Sequence, residues 1–87
     1  MPRYVVEREF PTGFRPPEQE RGVLELIEVN RMEDVNWVHS YVSVDRKKTF
    51  CVYDAPSPEA IRRAARRNNL PVDKITEVSV LDPYFYR

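Results

Sequence analysis

The stretch VNWVHSYVSVDRKKTFCVYDA, residues 35–55, decides the fold. Its first ten residues are rich in β-branched and aromatic types, which predicts a strand over 35–44. DRKK turns the chain, and TFCVYDA (49–55) supplies the partner strand of a hairpin. The helix that follows has its start written out. Ser57 suits the N-cap, Pro58 suits the first helical position, and Glu59 puts a negative charge at the positive end of the helix. Ile61, Ala64 and Ala65 form one side, Arg62, Arg63, Arg66 and Arg67 the other. Asn68 and Asn69 suit the carboxyl end, and Pro71 bars continuation.

The flanks complete the pattern. RYVVER (3–8) reads as a strand and FPTGFRPP (10–17) as a loop. EQERGVLELIEVNRMED (18–34) spaces Val23, Leu26, Ile27 and Asn30 as a helix does, although Gly22 weakens it. ITEVSVL (75–81) alternates as a last strand. The order β–α–β–β–α–β predicts a single ferredoxin-like α+β domain over 1–87, with two helices on one face of a four-stranded antiparallel sheet. A chain this short buries only about 60% of its unfolded surface. The open sheet face therefore gains from cover, and a second copy is the simplest cover, which predicts a homodimer through that face.

Composition excludes several function classes. With 14 basic and 14 acidic residues, the net charge of zero exerts no global pull towards nucleic acid or an anionic membrane. The arginines of the second helix read as a solvated face. No apolar run approaches the ~20 residues of a membrane span, and MPRYVVEREF lacks the apolar core of a signal peptide. A single cysteine makes no internal disulfide, which points to a reducing, cytoplasmic setting. No glycine-rich phosphate loop or nucleophile triad is present, so no organic cofactor is expected. The terminal PYFYR (83–87) predicts aromatic packing across the sheet edge or onto a second subunit.

Strict alternation sends Trp37, His39 and Tyr41 to one side of the sheet. It puts Val38 and Val42 under the helices, with Phe50 and Val52 beside them. Pairing Val42 with Phe50 sets Tyr41 opposite Cys51 and His39 opposite Tyr53 on the open face. If Tyr4 and Val6 point inward, Glu7 joins that face. Glu7, His39 and Cys51 are all metal-ligand types, and imidazole with thiolate suits nickel, zinc or copper. The sequence holds no Cys-x-x-Cys, His-x-His or His-Glu-x-x-His motif, so this grouping is spatial only. On residue type alone, His39, the one histidine, suits a packed dimer interface ahead of metal or acid–base work, and Cys51 suits a small core hydrophobe ahead of a ligand.

The segments YVVER (4–8), WVHSYVS (37–43), KTFCVYDAPSPEAIRRAARRNNLPVDKITEV (48–78) and LDP (81–83) carry a resemblance. They resemble a family of small bacterial proteins, known mostly as a domain of unknown function, that includes nickel-binding, nickel-responsive members. The resemblance implies a ferredoxin-like homodimer and makes nickel the preferred divalent ion. His39, Cys51 and Glu7 fall in the segments HSYVS, TFC and VER, with Tyr41 and Tyr53 expected to orient them. The expected function is divalent-metal binding by a small cytoplasmic protein. The alternatives are a dimeric α+β barrel enzyme with His39 as general base and Tyr41 or Tyr53 as donor, or an interaction module without a ligand.

Overall fold

In the computed structural model, which describes residues 1–14 and 20–84 apart from the side chains of 20 and 21, six elements follow one another. They are β1 (Arg3–Glu9), α1 (Glu20–Met32), β2 (Asn36–Val42), β3 (Lys48–Asp54), α2 (Pro58–Arg67) and β4 (Lys74–Val78). The strands form one antiparallel sheet in the order β2-β3-β1-β4. This is the ferredoxin-like arrangement that the hairpin and the two helices predict. β4 ends at Val78, three residues short of the predicted Leu81. The predicted start of α1 falls in residues 15–19, outside the described residues.

Local chemistry accounts for each boundary. β2 stops at Val42 because Ser43 and Asp45 organise the turn. The Ser43 hydroxyl donates to Asp45 Oδ1 at 2.7 Å, and the Lys47 amide donates to the same oxygen at 2.9 Å. Arg46 takes up the left-handed backbone the turn requires, with φ of 62°. At the start of α2, the Ala60 amide donates to the Ser57 hydroxyl at 3.3 Å, as the cap predicts. Ser57→Ala should cost about 1 kcal/mol, read as an earlier urea midpoint with an unchanged slope.

The core lies between the helices and one sheet face. Tyr4 and Val6 of β1, Cys51 and Tyr53 of β3, and Ala60, Ile61 and Ala64 of α2 are buried there, with Trp37 and Ile75 packed against them. The guanidinium groups of Arg63 and Arg67 grip Glu33, just past α1, at 2.9 and 3.2 Å. These two arginines tie the helices together, and the hydrogen bond from Arg63 leads in holding the Glu33 carboxyl below its ordinary range.

The hairpin register differs from the predicted one. Tyr41 lies opposite Phe50, His39 opposite Val52, Ser40 opposite Cys51, and Trp37 opposite Tyr53. A bulge between Trp37 and His39 breaks the alternation. One extra residue there turns Trp37 to the helix side while His39 and Tyr41 stay on the open side. In β3 the parity is the reverse of the prediction. Cys51 and Tyr53 point to the helices, and Phe50 and Val52 to the open face. Of PYFYR, Tyr84 is exposed and residues 85–87 lie outside the described residues.

Candidate functional site on the open sheet face

The open face is built in rows across the strands. His39, Val52, Val5 and Thr76 share one row, and Tyr41, Phe50, Glu7 and Lys74 the next. Val5, Phe50 and Val52 are half-buried and form an apolar centre. Ion pairs close it at both ends. Arg3 grips Asp54 in a fork, Nε to Oδ1 at 2.8 Å and Nη2 to Oδ2 at 3.1 Å. The hydrogen bonds from Arg3 hold the Asp54 carboxyl below its ordinary range. At the other end Lys48 Nζ lies 3.5 Å from Glu7 Oε1 and 5.5 Å from the centroid of the Phe50 ring.

His39 stands exposed on the edge strand of this face. Its ring meets the Tyr41 ring edge to face, with centroids 5.1 Å apart. No hydrogen bond ties either imidazole nitrogen to a described residue, so both remain available to a ligand.

The structure brings together part of the predicted set. Glu7 and His39 share the open face, and Tyr41 touches His39. From strand spacing and rise, the Cα atoms of Glu7 and His39 are about 12 Å apart, with Phe50 and Val52 between them. Cys51 is not part of this face. It is buried on the helix side, with its sulfur 4.0 Å from Thr49 Oγ1. Tyr53 is buried there too and cannot orient a ligand on the open face. The physical reason is the parity of β3, whose two rows, Phe50 with Val52 and Cys51 with Tyr53, are both apolar enough to be a core. Phe50 and Val52 are the open-face residues that spacing assigned elsewhere; their pairing with β1, where Glu7 fixes the outward row, is the signal that identifies them.

These donors do not close a metal shell within one chain. Among the described residues no group of three or more His, Cys, Asp or Glu side chains is placed to hold an ion. One chain offers a free imidazole and, about 12 Å away, a carboxylate already paired with Lys48.

Comparison with known proteins gives two findings. Residues 4–78 match the family described as "Nickel responsive protein SCO4226-like". The fold is similar to the crystal structure of SCO4226 from Streptomyces coelicolor A3(2), with a TM-score of 0.76 at 19% identity, covering 92% of this chain and 99% of that one. No curated protein matches the chain. No helix among the described residues is long and apolar enough to cross a membrane.

Proposed function

The chain belongs to the SCO4226-like nickel-responsive family, and from that membership we propose that it binds a divalent metal ion, nickel in preference to zinc or copper, through His39. The observation that carries this reading is an exposed imidazole, with no hydrogen-bonded partner among the described residues, beside the apolar centre of the open face. A single imidazole binds a metal weakly. The remaining donors therefore come from a second copy that covers the open face, and Glu7 is the carboxylate best placed to join once it leaves Lys48. Tyr41 packs against the imidazole and orients it. The lone reduced thiol supports a cytoplasmic setting.

Calorimetric titration of metal-free protein with nickel, zinc and copper tests the reading, with His39→Ala alongside and the oligomeric state of both checked by sedimentation. Saturable nickel binding by a dimer, at least tenfold weaker in the folded variant and weaker at mildly acidic pH, is expected, because imidazole binds metal only when deprotonated. A protein that stays monomeric at high concentration, or a variant that binds nickel as well as the parent, overturns it.

A second reading gives His39 acid–base work with Tyr41 as donor. It rests on an open cleft of about 630 Å³ that His39, with Tyr41 beside it but outside the lining, shares with Ile27, Arg31, Asp34 and Val38. An organic molecule carried through purification and released on denaturation would favour this reading over metal binding.

A further inference from the structure

On the other side of the sheet, between α1 and the strands, lies a second cavity of about 210 Å³. Its walls are apolar, formed by Phe14, Val23, Leu26, Trp37 and Leu70. Arg8 also lines it, and that residue is only 3% exposed. A cation in such a place calls for a counter-charge, because removing a guanidinium from water is costly unless an anion meets it.

Among the described residues none meets it. Arg8 Nε donates to the Pro71 carbonyl at 2.7 Å and Nη1 to the Tyr53 hydroxyl at 3.3 Å, and both acceptors are neutral. Its guanidinium carbon sits 5.8 Å from the centroid of the Tyr53 ring. Among the described residues no carboxylate lies within ion-pairing distance of Arg8. Of the roughly five N–H groups of a guanidinium, those of Nη2 find no acceptor in the described protein. The cavity is the space that Arg8 lines.

The geometry points to a binding site for a small apolar monocarboxylate, its carboxylate on Arg8 and its hydrocarbon body against Trp37, Leu26 and Leu70. A planar guanidinium matches a carboxylate in shape as well as charge. The volume suits about seven to ten non-hydrogen atoms at liquid-like to close-packed density, the size of hexanoate, octanoate or phenylacetate. The exposed Val42 also borders the cavity, which puts its mouth towards the edge of the sheet. His39 does not line this cavity, so the site is independent of the metal reading.

Trp37 is the one tryptophan in the chain and reports on the cavity directly. Metal-free protein is titrated with octanoate and phenylacetate, and with the matching amides, while Trp37 fluorescence is followed. Saturable binding of a carboxylate, at least tenfold tighter than that of its amide, is expected. Leu26→Phe, which fills the cavity without touching Arg8, should abolish the signal, and a folded Arg8→Gln should weaken carboxylate binding at least tenfold. Equal affinity for acid and amide, no saturation by any of the four compounds, or full binding by Leu26→Phe overturns the proposal. The acid–amide comparison uses the unaltered protein, so it stands even if Arg8→Gln does not fold.

Discussion

Replacing Ile61 by alanine should destabilise the protein by about 3 kcal/mol, the largest effect expected of a single truncation here. Ile61 is 2% exposed and, with Val6, is the largest fully buried side chain. The other residues that α2 buries are Ala60, Ala64 and Ala65. Ile61 is thus the one bulky side chain this helix sends into the core. Alanines on either side carry no rotamers that could swing into the space left behind, so the cavity stays open and the loss stays clear of the lower end of the range for such truncations. A domain of this size has a total stability of only about 4–13 kcal/mol. Urea unfolding followed by circular dichroism should show a much earlier midpoint with an unchanged slope. A loss under about 1 kcal/mol would mean that α2 is not anchored through Ile61.

Stability should also fall by about 2 kcal/mol between about pH 10 and 12, through one phenol. Burial pushes the Tyr53 hydroxyl up to about 12, against the opposing pull of the Arg8 charge. The folded value is above the unfolded value of about 10, so this stabilisation is fully present below about pH 10 and is lost as the pH rises towards 12. Burial raises Tyr4 as well, which adds to the loss with the same sign. Tyr53→Phe has no phenol to ionise there. It should give up about 1 kcal/mol at neutral pH with the bond from Arg8, and then lose most of the alkaline dependence. Unfolding curves at neutral pH and about pH 11.5, with tyrosinate absorbance as a second probe, separate the two effects. An alkaline loss of the same size in both proteins would assign the effect to other groups.

How much of this was legible differs from element to element. The cap at Ser57 and the alanine–arginine pattern after it mark α2 because the relevant contacts are local, three or four residues apart. β1 is legible for a similar reason: Glu7 sits beside valines and marks the outward row. The hairpin is legible as a hairpin but not in its faces. Nothing in NWVHSYV marks the extra residue between Trp37 and His39, and β3 has two rows that could both pass for a core. The candidate site inherits this. His39 and Glu7 appear where alternation puts them, whereas Cys51 and Tyr53 go to the opposite side. Arg8 follows Tyr4 and Val6 inward by the same alternation, but its acceptor on Pro71 is 63 residues away, and local spacing carries no trace of it.

The bulge in β2 also bears on solubility. β2 and β4 are the margins of the sheet, and each could in principle template growth by a neighbouring chain. β2 presents a row of amides and carbonyls interrupted at Val38, while β4 has five residues and opens on Lys74. An interrupted row and a short, charged one are both poor seeds for continuous sheet. With no net charge to keep copies apart, these two margins guard the chain against fibrillar stacking, and they leave the one uncovered broad face of the sheet as the surface for ordered contact.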